Sequence, residues 1–318
     1  MPAYSTKTAD LLDDIKAAIK TEVTTSGTLS SVKQVRIGPN RNPAAFPFIT
    51  IIPVDEKNTG IRNGIMVNVR QIRIEAYAKK YKSKDSMRAA MGMIEKVKDI
   101  FVTNSDYWQI PSSTIPFDPT VFDLQITSIG ASDKPVPYRN GFIHQASLEM
   151  ACWSKDEFSP DITTSYDIYE MAVCDAKTLI DNIAIVFKKY KTGANDILSN
   201  TKSFRSFTMP PSATFPTIFI GIEAENREHA IAGKDVIERD ISINILTQMG
   251  SREENLRRNL KIADYCRQIL LANTTFQGKV VHYDYDGITF GQLVGDRGQL
   301  LYGSSLSFTA QHFETLPN

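Results

Sequence analysis

Ala44-Ala45-Phe46-Pro47-Phe48-Ile49-Thr50-Ile51-Ile52 occurs a second time in the chain, as Ala213-Thr214-Phe215-Pro216-Thr217-Ile218-Phe219-Ile220-Gly221. The two phenylalanines, Phe46 and Phe215, are 169 residues apart. The same offset pairs Arg36 with Arg205, Gly64 with Gly233, Val67 with Val236 and Arg70 with Arg239. It continues through Ile72 and Ile241, Ile74 and Ile243, Arg88 and Arg257, Ile100 and Ile269, and Asn104 and Asn273. From residue 32 to 104 no gap is needed, and 16 of the 73 positions are identical. Unrelated sequences of ordinary composition match at roughly one position in sixteen. The chain is a tandem duplication, and the repeated stretch is a buried strand in each copy.

The bulk numbers agree with two domains. A length of 318 residues exceeds most single small cores and suits two domains of about 150 residues each. Hydrophobic content of 42% with 23% charged residues is that of a folded globular protein. Lys+Arg and Asp+Glu number 36 each. That balance argues against a protein that grips phosphate backbones, which normally carries a basic excess. Cys152, Cys174 and Cys266 lie far apart in apolar surroundings, as reduced, buried thiols do. The first residues lack a signal peptide's apolar core, and no apolar run is long enough for a membrane span. The expectation is a protein made in a cytoplasm, with no membrane partner.

In the first copy, Leu11, Leu12, Ile15, Ala18 and Ile19 are spaced three and four apart and predict a helix over Thr8 to Val23. A short strand is expected near Val32 to Ile37, and the repeated strand over Phe46 to Val54. Glu56 to Gly64 is polar and reads as a hairpin loop. Met66 to Ala78 alternates Ile72, Ile74 and Ala76 with Gln71, Arg73 and Glu75, a strand with one wet face. Lys79 to Lys84 reads as a solvated basic loop, with Asp85 or Ser86 capping a helix over Met87 to Val102. Thr103 to Pro119 is irregular, and two strands, Val121 to Ile129 and Phe142 to Trp153, close the unit. The arm Asp133 to Asn140 joins them.

The expected class is α+β: two copies of a mainly antiparallel four-stranded sheet flanked by helices. The expected boundaries are 1–154 for the first domain, 155–165 for a linker and 166–318 for the second domain. The second copy should hold a longer helix to about Tyr190, the Phe215 strand, an alternating strand from Arg239 to Leu246 and a helix from Glu254 to Ala272. Its last strands, near Val280 to Phe290 and Leu300 to Gln311, are joined by a loop, Gly291 to Gly298, read as a hairpin turn.

Signals for chemistry are weak. His144, His229, His282 and His312 are scattered and lack metal-ligand spacing. His282-Tyr283-Asp284-Tyr285-Asp286-Gly287 resembles half a calcium loop, but the position that needs a bidentate acid is Leu293. Gly291 to Gly298 lacks the Gly-Lys-Ser/Thr ending of a phosphate loop, and no nucleophile elbow, acid pair or Cys/His couple stands out. No catalytic residue, cofactor site or metal site is assigned. Two groups remain. The matched arginines Arg36, Arg70, Arg205 and Arg239 are either ion-pair residues at the core edge or contacts between subunits. Lys79, Lys80, Lys82 and Lys84 are a solvated segment or a surface that touches DNA or an acidic partner.

The order of helix, Phe-Pro strand, amphipathic strand, helix and two strands resembles the tail terminator and tail-completion proteins of tailed bacteriophages. The resemblance rests on Phe46 to Ile52, Val69 to Tyr77 and Ser86 to Phe101, and it covers both halves. It implies a structural virion protein without catalytic activity, assembled in the host cytoplasm into a ring that ends the tail tube. Its partners would be other copies of itself, the tail tube and the neck or head-completion proteins, with the genome passing through the lumen. Members of that family generally carry one such domain. A tandem pair therefore implies six copies forming a twelve-domain ring, the favoured hexamer, or three copies mimicking a six-domain ring.

Three other readings compete. One is a different neck, tube or baseplate ring of the same particle. Another is a duplicated enzyme or ligand-binding module with a site at the domain junction. The third is a pair of nucleic-acid-binding domains, which the charge balance disfavours.

Overall fold

The computed structural model describes residues 7–23, 29–39, 45–62, 65–103, 121–157, 174–191, 198, 201, 203–206, 215–229, 234–248, 251–273, 276, 278–294 and 300–315. The chain is α+β and forms two compact units. Residues 7–56 and 67–156 form the amino-terminal unit, and 157–318 together with 57–66 form the carboxy-terminal unit.

In the amino-terminal unit, helix α1 (Lys7–Val23) buries Leu11, Leu12, Ile15, Ala18 and Ile19, the residues that the spacing of three and four selects. Strand β1 (Gln34–Ile37) pairs in parallel with β2 (Phe48–Arg62). β3 (Ile65–Lys80) precedes helix α2 (Ser83–Thr103). β4 (Val121–Ala131), the two-residue β5 (Val136–Pro137) and β6 (Phe142–Glu157) complete the unit. The sheet order is β4-β6-β3-β2, with β1 on β2 and β5 on β6. Ile49, Ile51, Ile72, Ile74 and Ala76 all lie on buried positions, because residues two apart on a strand share a face. Phe48 stacks on Tyr77 with ring centroids 4.5 Å apart.

The carboxy-terminal unit repeats the order. Helix α3 (Ala176–Lys191) starts after Asp175, whose carboxylate accepts the Thr178 N–H at 2.6 Å. That bond holds the Asp175 carboxyl below its usual range. Lys188, Lys189 and Lys191 lie at the helix end where the backbone carbonyls favour cations. β7 (Ser203–Ser206) runs parallel to β8 (Thr217–His229), which pairs with β9 (Lys234–Thr247). Helix α4 (Arg252–Ala272) is capped by Ser251, whose hydroxyl accepts the Glu254 N–H at 3.2 Å. β10 (His282–Val294) and β11 (Leu300–Thr315) close the order β10-β11-β9-β8-β7. The core gathers Ile183, Phe187, Ile218, Ile220, Ile241, Ile243, Ile269, Leu306 and Phe308. The Phe46–Pro47 and Phe215–Pro216 bonds are both cis.

Several expectations need correction. Glu56 to Gly64 is not a hairpin loop: β2 continues to Arg62 and β3 begins at Ile65. The segment is strand because it has a partner, since Asn58 Nδ2 donates to the Tyr285 carbonyl oxygen at 2.8 Å. Gly291 to Val294 is likewise strand, paired with Leu300 to Gly303, so the expected turn starts too early. β6 runs through Glu157, three residues into the expected linker. The two four-stranded sheets are not cleanly reproduced: a short parallel strand, β1 or β7, is added to each, and the carboxy-terminal unit also takes in residues 57–66, so that β2 stands beside β10. Thr103 of the expected irregular stretch closes α2, and its residues 104–119 lie outside the described residues, as do 158–173 of the linker and the expected longer helix.

Candidate functional site

Each unit places an arginine at the same point of its third strand, and the two surroundings differ. Arg70 on β3 is shut from solvent, with its Nε 2.8 Å from the Glu56 carboxylate and 3.2 Å from the Thr8 hydroxyl. Its Nη1 meets the Ser154 hydroxyl. A buried guanidinium needs a carboxylate and further acceptors, and α1, β2 and β6 supply them.

Arg239 on β9 is equally buried and contacts Glu225 at 2.9 Å and Glu314 at 2.6 Å. Where Arg70 meets Ser154, Arg239 meets the imidazole Nε2 of His312. Arg227 extends this centre, reaching Asp235 at 3.4 Å, Glu314 at 3.0 Å and Glu225 at 3.5 Å. Arg70 and Arg239 are therefore ion-paired inside their own units. Arg36 is half-buried on β1, and Arg205 lies on β7 opposite Phe219.

The partner carboxylates are legible in the sequence. Glu56 and Glu225 are themselves separated by the repeat offset, 225 − 56 = 169. A repeat that keeps both the arginine and the glutamate signals a retained ion pair.

The centre around Arg239 also holds a Cys/His couple that sequence spacing hides, because its members are 138 residues apart. Cys174 Sγ lies 3.5 Å from His312 Nδ1. Burial pushes the thiol up to about 11. Burial, with the Arg239 charge added, holds the imidazole down to about 4. Both groups are neutral at pH 7. A nucleophilic cysteine needs the opposite ionisation, a thiolate beside an imidazolium.

The lysines do not form one loop. Lys79 and Lys80 end β3, Lys82 lies in the two-residue bend and Lys84 is already in α2. The helix begins at Ser83, ahead of both expected caps, Asp85 and Ser86, and Ser86 is used elsewhere. Its buried hydroxyl meets the carbonyl oxygens of Ala78 at 2.6 Å and Phe142 at 2.9 Å, and accepts the His144 N–H at 3.1 Å. Lys79 Nζ sits 5.1 Å from the centre of the Tyr138 ring. Lys80, Lys82 and Lys84 are exposed.

The half-loop resembling a calcium site is part of β10, with Asp284 and Asp286 on an extended strand. Among the described residues no group of three or more His, Cys, Asp or Glu side chains is arranged to hold a metal. No described helix is long and apolar enough to cross a membrane. The three described cysteines are buried and form no disulfide with one another. No protein-family model matches the chain, and no curated protein matches it in sequence.

Proposed function

We propose that this chain is a structural protein of a tailed bacteriophage particle, forming a ring that ends the tail tube and joins it to the head or neck. The observation that carries the reading is the element order, repeated in both units. Helix, Phe-Pro strand, amphipathic strand, helix and two strands run as α1, β2, β3, α2, β4 and β6. They run again as α3, β8, β9, α4, β10 and β11. That order resembles the single domain of tail terminator and tail-completion proteins, and the chain would carry two tandem copies of it. The formal net charge of zero suits a conduit, since each added phosphate contact would retard a passing duplex. In this reading the partners are further copies of the chain, the tube and the neck proteins, and the role is not catalytic.

The test is the mass of the native assembly, by light scattering or native mass spectrometry, with negative-stain images of the same sample. A closed ring of six or three chains around a hole wide enough for a DNA duplex is the expected result. A chain that stays monomeric at high concentration, and adds nothing to purified tail tubes, would overturn the proposal.

A further inference from the structure

We infer that the outer edge of β4 is a docking edge for the β8–β9 hairpin of a second copy of this chain. The inference stands on the internal repeat and goes beyond the ring reading by naming the contact.

β4 and β10 are the same strand in two copies. Pairing Arg70–Ser154 with Arg239–His312 aligns β6 with β11, so that Met150 matches Phe308 and Leu148 matches Leu306. β4 then aligns with β10, and both carry a bulge at the same point, at Thr127 and at Asp286. A bulge kept at one register position marks equivalent edges. Their environments are opposite. In the carboxy-terminal unit, residues 57–62 of β2 lie beside β10, Asn58 bonds the Tyr285 carbonyl, and Met66 enters the apolar core. Tyr285, Gly287 and Ile288 are buried there. In β4 the matching residues are open: Ser128 is exposed, Ile126 is half-buried and Ile129 is 39% exposed against 1% for Ile288. Among the described residues β4 ends its sheet order, with no strand on that side.

The matching hairpin is open too. β7 pairs with β8 only over Thr217 to Ile220. Beyond that, Glu223 to Glu228 are all exposed, although Ala224 to Glu228 stay paired with β9, as far as His229 opposite Asp235. The same 169-residue offset carries 57–62, the segment that covers β10, onto 226–231. Among the described residues each chain thus offers one edge and one hairpin edge without a strand partner, and the filled pair within the carboxy-terminal unit shows how such parts fit. Because the two patches differ, the contact is heterologous, and repeated contacts of that kind close rings or extend filaments.

The second hairpin is the more polar. Arg227 stands where Asn58 does, and Asp235 where Met66 does, with 3.4 Å between them. The contact therefore rests on strand hydrogen bonds without a buried apolar anchor, and it should weaken with dilution and salt.

The experiment places one cysteine at Asn226 in one preparation and one at Thr127 in another, both at exposed positions. The native cysteines are buried. Treatment with a short bismaleimide should join two chains only when the preparations are mixed, and the double variant should give a ladder of higher species. Ile129→Lys, a charge on the docking edge, should lower the assembly mass at least twofold at fixed concentration while circular dichroism stays unchanged. No mixed product from folded protein, or an unchanged mass for Ile129→Lys, overturns the contact. A ring that forms without the cross-link keeps the ring reading and overturns this contact. Cross-linked open filaments support the contact and overturn the ring.

Discussion

The Arg70 guanidinium lies 2.8 Å from the Glu56 carboxylate, with both side chains closed to solvent. Its counterpart, Arg239 with Glu225 at 2.9 Å, has a buried arginine and a glutamate that is 38% exposed. Removing one partner of a buried pair strands the other charge and costs about 3–5 kcal/mol. Arg70→Met alone should destabilise the amino-terminal unit by that order in urea titrations. The double change Arg70→Met with Glu56→Leu should recover most of the loss. Glu225→Gln should cost less than Glu56→Gln, because Glu314 at 2.6 Å still serves Arg239 and water reaches Glu225.

His312 should make the carboxy-terminal unit acid-sensitive. Its imidazole is held down from 6.5 to about 4, first by burial and then by Arg239. The fold therefore keeps it neutral while the unfolded chain takes up a proton below about 6.5. The stability that this contributes is complete above that pH and is lost as pH falls toward 4. At full extent it is roughly 3 kcal/mol. Cys174, Arg239 and Glu314 are the groups around it. His312→Gln can still accept from Arg239 but cannot titrate, so it should flatten the pH dependence of stability between 6.5 and 4. The check is denaturant unfolding across that range. An equally steep slope in the variant would assign the acid sensitivity to other groups.

What the sequence made legible was the repeated core. Ile49 with Ile51, Ile72 with Ile74, and their partners 169 residues on are hydrophobic at period two, and that pattern needs no tertiary knowledge. All of those residues are buried. Residues 56–62 were illegible because their strand depends on contacts such as Asn58–Tyr285, 227 residues apart, and local polarity pointed to a loop. The Cys174–His312 contact was hidden in the same way, by folding that joins distant segments. The basic run Lys79 to Lys84 misled for another reason. A charged sequence says only that the side chains reach water, and strand end, bend and first helical turn all allow that.

Ser86 ties three segments with one hydroxyl. It meets the carbonyl oxygens of Ala78 and Phe142 and accepts the His144 N–H. A single hydroxyl proton serves the two carbonyls in turn. Ser86→Ala removes this partner from the buried Ala78 carbonyl and His144 N–H, which costs about 1–3 kcal/mol. Ser86→Thr keeps the hydroxyl and should retain more stability than alanine. Thermal melts of the three proteins give the ranking, and a silent Ser86→Ala would show that these backbone groups find other partners.

Gly141 stands where the arm after β5 returns to the sheet, and a Cβ there would lie 2.7 Å from the Lys80 carbonyl oxygen and 3.3 Å from its carbon. Both obstacles are backbone, so neither can swing aside as a side chain would. Tyr138, whose N–H donates to the Gly141 carbonyl oxygen at 3.0 Å, lies against Phe46 and under Lys79. Gly141→Ala must therefore push the arm off the end of β3, at a cost of about 1–3 kcal/mol by the general scale of overpacking. The expected result is faster hydrogen exchange over residues 132–145, with little change in the carboxy-terminal unit. Unaltered exchange at Tyr138 and Ser132, whose N–H donates to the Gln145 carbonyl at 2.9 Å, would show that the arm absorbs the methyl without leaving the sheet.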